Sequence, residues 1–362
     1  MGVAGKSPAV RARVPLRISF GGGGTDVAPY FLDHGGVALN VTIDRYVYCS
    51  LSPGADETVR VTSLDYNQAA TFGVHELPVY DGNLDLVKAV INRVNPAWRR
   101  GLDMLLQAEA PPGSGLGTSS AVVVATILAL SRLLGVYLNP EQVSILAYAV
   151  EREDLGIAGG FQDQYAAGYG GFNWMEFSRE GVSIEPLGLK PDTLYELEYR
   201  LVMCYTGETR LSAGILTEQV GNYEAGRRDT VASLHRMKDL AAAMRRALLR
   251  GDTDEFGSLL HESWQSKRLL ASSITNAAID ELYETAQAAG ALGGKLLGAG
   301  GGGFLLLYVP EARRRAVVDA LAQFPGTQGS AVHFDLSGPV VWAERGFRST
   351  VPAFQTTHER VH

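Results

Sequence analysis

The stretch Pro111-Pro112-Gly113-Ser114-Gly115-Leu116-Gly117-Thr118-Ser119-Ser120-Ala121 constrains this chain more than any other. Three alternating glycines and a run of hydroxyl residues lead straight into Ala121 to Leu130, where almost every side chain is apolar. A helix that is apolar on nearly all sides must be buried all round, so the pattern predicts the central helix of its domain, fed by a strand over Leu102 to Ala108. Glycines let the backbone come close to a polyanion, and the N-terminus of the following helix offers unpaired N–H groups and the positive end of the helix dipole. The segment therefore predicts a phosphate cradle for a nucleotide triphosphate. Ser119 or Ser120, in the first helical turn, would offer a hydroxyl to a bridging Mg²⁺, which takes few protein ligands and prefers hard oxygens. The loop lacks the Gly-Lys-Ser/Thr ending of a Walker A motif and the spacing of the dinucleotide fingerprint. Taken alone, a glycine turn capped by Ser/Thr also accounts for it.

Two further glycine runs lead to carboxylates. Val14, Leu16, Ile18 and Phe20 alternate with Arg13, Arg17 and Ser19, which predicts a half-exposed strand over Val10 to Phe20. It runs into Gly21-Gly22-Gly23-Gly24-Thr25-Asp26, a bend that delivers Asp26; an Asx cap is the alternative, although a cap needs no glycine tetrad before it. Asn139 to Asp154 predicts a helix with Asn139 as its cap and Pro140 at its first position, ending on Glu151, Glu153 and Asp154. On its own, Glu151 reads as a solvated helix carboxylate. Gly156-Ile157-Ala158-Gly159-Gly160-Phe161-Gln162-Asp163 then brings a second acid into apolar surroundings.

Strand patterns recur at Val37 to Leu51, Thr58 to Thr62, Ala69 to Val74, Phe172 to Phe177, Val182 to Leu187, Tyr199 to Tyr205, Phe304 to Val309 and Ala331 to Asp335. Helical spacing marks Leu84 to Val94, the long stretch from Ser212 to Ala289, and Glu311 to Phe324. The class is α+β. With 32 Lys and Arg against 39 Asp and Glu, the net charge is −7 and there is no long basic run, so neither nucleic acid nor an anionic membrane is an expected partner. No apolar run approaches a membrane span and the N-terminus has no signal-peptide core, which predicts a cytoplasmic protein. Cys49 and Cys204 lie in strand-like text and read as buried free thiols. His358-Glu359-Arg360-Val361-His362 spells a zinc-protease pattern, but these are the last residues of the chain and no third ligand follows.

Three segments in order, Pro15 to Asp26, Pro111 to Ala121 and Lys295 to Phe304, resemble the motifs of the GHMP kinase family of small-molecule kinases, and the resemblance runs over residues 11 to 345. Within the family the chain is similar to the D-glycero-D-manno-heptose 7-phosphate kinase branch, through Leu39-Asn40-Val41-Thr42-Ile43-Asp44, His261-Glu262-Ser263-Trp264 and Gly290 to Gly303, with L-fucose kinases as the neighbouring branch. The resemblance implies a two-domain α+β fold, with a ribosomal protein S5 domain 2-like half over residues 10–190 and a ferredoxin-like half over 191–345. It implies an ATP- or GTP-dependent, Mg²⁺-requiring kinase acting on the C1 hydroxyl of a heptose 7-phosphate, or in a close variant on a free sugar. A non-catalytic sugar or nucleotide sensor on the same fold is the rival class.

Carried over residue by residue, Pro112, Gly113, Ser114, Gly115, Leu116, Gly117, Thr118, Ser119 and Ser120 hold the nucleotide, and Ser119 with Glu151 holds Mg²⁺. Asp163 is the catalytic aspartate, which either accepts the proton of the sugar hydroxyl or only orients that hydroxyl, with Arg17 beside it. Gly24, Thr25 and Asp26 grip the sugar, and the final glycine run, with Gly301 and Gly302, closes over phosphate loop and substrate. Arg210, Lys267, Arg268 and Lys295 are the cations available to a phosphate already on the acceptor. The implied partners are small molecules, a sugar phosphate and a nucleotide; a homodimer is compatible with the sequence, which does not fix the oligomeric state.

Overall fold

The computed structural model describes residues 9–94, 101–208 and 213–344. The elements run β1 (Val10–Gly21), α1 (Tyr30–His34), β2 (Gly36–Pro53), β3 (Thr58–Ser63), β4 (Gln68–Gly73), α2 (Asp85–Val94), β5 (Leu102–Ala108), α3 (Thr118–Leu134) and α4 (Pro140–Ala149). A π-turn over Val150–Asp154 follows, then α5 (Gln162–Tyr169), β6 (Phe172–Ser178), β7 (Gly181–Pro186), α6 (Pro191–Arg200), β8 (Leu201–Tyr205), α7 (Ala213–Glu224), α8 (Arg228–Arg250), α9 (Thr253–Lys267) and α10 (Ala277–Ala289). β9 (Gly293–Leu296), β10 (Phe304–Tyr308), a 3₁₀ turn (Glu311–Arg313), α11 (Arg314–Leu321), β11 (Gln328–Ala331) and β12 (Val340–Ala343) complete the order.

These strands form two sheets. The first runs β12-β1-β2-β5-β3-β4, with β6 and then β7 attached to β2. The long β2 makes this branching work: Gly36 to Val41 pairs with β6, Val47 to Pro53 pairs with β5, and β1 runs along the opposite edge. The β1–β2 register shifts after Pro15, a residue with no N–H to give to a ladder, and the strand bends there. The second sheet runs β11-β8-β10-β9, all antiparallel, which in chain order is the ferredoxin-like 4-1-3-2 arrangement.

α3 is buried on nearly every side, as its apolar circumference requires, and ends on Gly135 in a left-handed cap. β1 joins the two halves into one core, since Phe20 stacks on Phe172 at 5.6 Å and meets Phe256 of α9 edge-on at 5.2 Å. Asn139 caps α4 as expected, its side chain accepting from Gln142 N while the Gln142 side chain accepts from Asn139 N. Both cysteines are free and buried, and burial pushes the Cys49 thiol up to about 12. No helix among the described residues is long and apolar enough to cross a membrane.

Three sequence expectations need correction. β1 is half-exposed only at its start, over Val10 to Arg13; Pro15, Arg17 and Ser19 are buried as well, the last two bonded to Gly115 O and Asp163 and to Gln162 Oε1. Tyr199 and Arg200 end helix α6 rather than begin a strand, because Pro191 at the helix start and a buried face built on Thr193 and Leu197 carry the helix to Arg200. Residues 332–335 leave the second sheet after Ala331 and cross to the first, where Asp44 N donates to His333 O and Asp335 N to Thr42 O. The terminal His-Glu-x-x-His segment, and residues 209–212 at the start of the predicted helical stretch, lie outside the described residues.

Candidate active site

Gly113, Gly115 and Gly117 have φ values of 71°, 82° and 76°, so the alternation seen in the sequence is an alternation of left-handed residues that coils the chain across the N-terminus of α3. The coil is fixed from both sides. Arg17 N of β1 donates to Leu116 O at 3.0 Å, and Phe304 N of β10 donates to Ser114 O at 3.2 Å. A Cβ on Gly115 would stand 2.6 Å from Leu297 O, one on Gly298 2.5 Å from Gly115 Cα, and one on Gly303 2.3 Å from Ser114 O. The final glycine run is thus packed backbone-to-backbone on the loop. Gly301 instead faces the segment between α9 and α10, donating its N–H to Ile274 O at 2.8 Å; Pro112, Leu116, Gly301 and Gly302 are not among the residues that line the cavity in front of the loop.

That cavity has a volume of about 180 Å³. Arg17, buried, reaches into it from β1: Nε and Nη2 donate to Asp163 Oδ1 at 2.9 and 2.6 Å, and Nη1 to Gly115 O at 2.5 Å. One guanidinium therefore links the first strand, the glycine loop and the start of α5. Asp163 keeps 32% of its side chain exposed, leaving its carboxylate open to the cavity. Asp26 is buried, with Oδ1 accepting from Gly24 N and Oδ2 from Gln162 N, both at 3.0 Å. Burial raises its pKa and the two backbone N–H groups oppose that. The approach is so close that a Cβ on Gly160 would fall 2.1 Å from Asp26 Oδ2. Gly24 is held by Gln219 Nε2 of α7 at 3.0 Å. Thr25 is fully buried, its hydroxyl bonded to Gly22 O, Val37 O and Val37 N, so it shapes the turn and does not face the cavity.

Glu151 is not a solvated helix carboxylate. α4 gives way to the π-turn at Val150, and the wider turn aims Glu151 into the cavity wall, where it is buried. Among the described residues its Oε1 has no hydrogen-bond partner, and Oε2 lies 3.3 Å from Arg152 Nη1. Burial raises its pKa, opposed by the charge of Arg152 and by the nearby Ser120 hydroxyl and Gln164 amide. Ser120 is the buried hydroxyl on the Glu151 side, whereas Ser119 lies exposed at the cavity lining and interacts with the phenol of Tyr66. Arg152, absent from the sequence expectations, donates to Ile157 O at 3.1 Å and Gly160 O at 3.2 Å, tying the π-turn to the loop before Asp163. A Cβ on Gly159 would collide with its guanidinium at 2.4 Å, and an arginine a few residues before a Gly-Gly pair was the only trace of this contact in the sequence. Lys267 and Lys295 line the cavity and are buried; Arg268 instead pairs with Asp280 at 2.9 Å and does not line it. Arg210 lies outside the described residues.

Comparison with known proteins puts this geometry in context. The model of the GHMP kinases N terminal domain matches residues 85–171, and that of the GHMP kinases C terminal matches residues 244–326. The chain is 36% identical over 321 residues to the D-glycero-alpha-D-manno-heptose 7-phosphate kinase of Campylobacter jejuni, covering 88% of this chain and 94% of that one. It is 31% identical to the bifunctional fucokinase/GDP-fucose pyrophosphorylase of Arabidopsis thaliana, spanning 84% of this chain but 30% of that protein. A crystal structure of a D-glycero-D-manno-heptose 1-phosphate kinase from Bacteroides thetaiotaomicron superposes with a TM-score of 0.77 at 33% identity, covering 92% of this chain and 98% of that one.

Proposed function

The chain belongs to the GHMP kinase family as a sugar kinase, and from that premise we propose that it transfers the γ-phosphoryl group of ATP to the anomeric C1 hydroxyl of D-glycero-α-D-manno-heptose 7-phosphate, giving the 1,7-bisphosphate. The observation that carries this reading is the Arg17–Asp163 pair, set against Gly115 of the phosphate loop and open to the cavity. Phosphoryl transfer asks for alignment and charge neutralisation more than covalent chemistry. In the proposed step Asp163 accepts the proton of the C1 hydroxyl, the C1 oxygen forms a bond to the γ-phosphorus, and the bond from that phosphorus to the β-phosphate oxygen breaks, releasing ADP. Arg17 holds the Asp163 carboxylate in place through two N–H groups on one oxygen. Asp26, fixed by two backbone N–H groups, supplies acceptor oxygens for sugar hydroxyls.

The donor set also fits Mg²⁺. Glu151 Oε1 is a buried carboxylate oxygen without a hydrogen-bond partner among the described residues, and Ser119 and Ser120 bring hydroxyl oxygens to the same wall. Few protein ligands, the rest coming from phosphates and water, is how Mg²⁺ is usually held. Glu151, Ser119 and Ser120 are the residues that would hold it; when bound it neutralises charge on the transferred group and the departing diphosphate. Replacing Glu151 by Gln should raise the Mg²⁺ concentration for half-maximal rate by about tenfold or more. Of Ser119→Ala and Ser120→Ala, the one with the larger rise identifies the hydroxyl ligand. An unchanged Mg²⁺ requirement in all three removes this wall from metal binding.

The two heptose kinases differ in name as to where the substrate's phosphate sits, and fucokinase relatives act through a similar domain, so the acceptor needs a direct test. The assay is nucleotide turnover with D-glycero-D-manno-heptose 7-phosphate, the unphosphorylated heptose and L-fucose, followed by phosphorus NMR of the product. A new anomeric phosphate with the heptose 7-phosphate alone is the expected result. Turnover with a free sugar instead keeps the kinase and discards the heptose phosphate; no turnover with any favours a sensor. A cytoplasmic setting, where ATP and sugar phosphates are available, belongs to the same reading.

A further inference from the structure

The phosphate loop contains no lysine, yet two lysines from the second half of the chain reach the cavity beside it. Lys267, the last residue of α9, and Lys295 of β9 are 5% and 3% exposed. Lys267 Nζ donates to Leu296 O at 3.0 Å and Gly298 O at 2.6 Å, and Lys295 Nζ donates to Phe20 O at 3.1 Å. An ammonium has three N–H groups, so Lys267 retains one and Lys295 two beyond these carbonyls. Among the described residues no carboxylate pairs with either lysine, and the charged neighbours that act on them are each other and Arg17. Burial lowers the pKa of both, that of Lys295 to about 7.

Their position is as informative as their charge. The carbonyl that Lys267 grips on Gly298 belongs to the residue packed on Gly115, and Phe20, gripped by Lys295, follows Arg17 on the same strand. Three basic side chains therefore line the cavity beside the phosphate loop, of which Arg17 holds the partly exposed carboxylate of Asp163. Burying ammonium groups without a counter-charge is costly, and unpaired cations lining a cavity point to an anionic ligand.

We infer that Lys267 and Lys295, with Arg17, form a receptor for a phosphoryl group in the cleft, bringing from the C-terminal half the positive charge that the phosphate loop lacks. The inference rests on the kinase reading of this cavity, not on the identity of the sugar. A dianionic phosphoryl group reaches the cleft from two sources, the γ-position of the nucleotide and the phosphate already carried by the acceptor, and the receptor chemistry is the same for both.

Isothermal titration of the full-length protein separates them. Lys267→Met and Lys295→Met, with Lys→Arg controls, are titrated with ATP, ADP, D-glycero-D-manno-heptose 7-phosphate and the unphosphorylated heptose. The expected result is about tenfold or greater weakening for one phosphoryl-bearing ligand, with its counterpart lacking that group within about twofold, and a Tm unchanged or raised because an unpaired buried charge has gone. Loss for ATP with ADP spared assigns the γ-phosphoryl group; loss for the sugar phosphate with the free sugar spared assigns the acceptor. Unchanged affinities throughout, or a fall in Tm with equal loss for all four ligands, overturn the inference and leave the lysines as braces for the backbone.

A second readout needs no variant. Lys295 faces Arg17 of β1 and Lys267 of α9, with Asp26, Glu151 and Asp163 also lining the cavity. An anion placed against it raises its pKa, so at about pH 8 wild-type protein should take up protons on binding the phosphoryl-bearing ligand, seen as a dependence of the heat on buffer ionisation. Binding with no proton uptake counts against the receptor. If ATP meets these expectations while the heptose phosphate is not turned over, the receptor stands and the acceptor assignment falls.

Discussion

Replacing Asp163 by Asn lowers kcat by about 10³-fold while nucleotide affinity stays within about twofold of wild type. The side chain keeps its size, and an amide oxygen still accepts from the Arg17 guanidinium that now donates at 2.6 and 2.9 Å, so the buried arginine keeps a partner and the phosphate loop keeps its anchor on Gly115 O. What the amide cannot do is take a proton. The neighbouring variant Asp163→Ala separates the two roles open to the carboxylate, because it removes orientation and proton acceptance together. If proton acceptance is the role, Asn and Ala fall equally; if the carboxylate only orients the sugar hydroxyl, Asn retains most of the rate and Ala does not. Steady-state kinetics with separate equilibrium titration of ADP checks both, and wild-type turnover in both Asp163→Asn and Asp163→Ala would remove the residue from the mechanism.

The parts of this site that can be read in the sequence are those whose signals are local. A glycine alternation before an apolar helix, a glycine tetrad before Asp26 and a Gly-Gly pair before Asp163 each mark a place where the backbone must come close to something, and the structure brings all three into one cavity. The existence of β1 is legible for the same reason, in the period-two text from Val10 to Phe20, but its exposure is not: from Val14 on both faces are buried, because the polar face that carries Arg17 and Ser19 is covered by segments distant in sequence. Arg152 and the setting of Glu151 are different. They depend on a π-turn, which inserts an extra residue into a helical turn and shifts every side chain after it; helical periodicity places Glu151 on the wrong face and says nothing of Arg152 bonding forward to Gly160. The segment after Ala331 fails for another physical reason. Its apolar residues are satisfied by the first sheet, through Phe334 against Ile43, and no local pattern says which of two sheets a buried residue will join. The lysine pair is tertiary in the same way, because Lys267 and Lys295 become unusual only when their burial and their lack of a counter-ion are known.

Gly115→Ala lowers kcat/KM by about 10²-fold or more and reduces stability by about 1–3 kcal/mol, through two separate penalties. At φ 82° an alanine sits where L-residues are strained, and its Cβ would stand 2.6 Å from the carbonyl oxygen of Leu297. The strain is tolerable in isolation. The collision is with backbone, which cannot rotate out of the way, so either the phosphate loop or the Leu297–Gly298 segment must shift. Either shift is transmitted. The loop holds Arg17 through Gly115 O, and Gly298 O holds Lys267, so one added methyl displaces the partner of Asp163 and one of the cavity's buried cations together. Gly156→Ala provides the control. It is also left-handed, at φ 62°, but a Cβ there meets nothing within 4 Å, so it carries the strain without the collision. If kcat/KM falls equally in the two variants, left-handed strain alone accounts for Gly115 and the backbone contact between the glycine runs is dispensable. If Gly115→Ala alone loses activity while both unfold within a few degrees of each other, the contact itself aligns the phosphate loop with the residues that the second half brings to it.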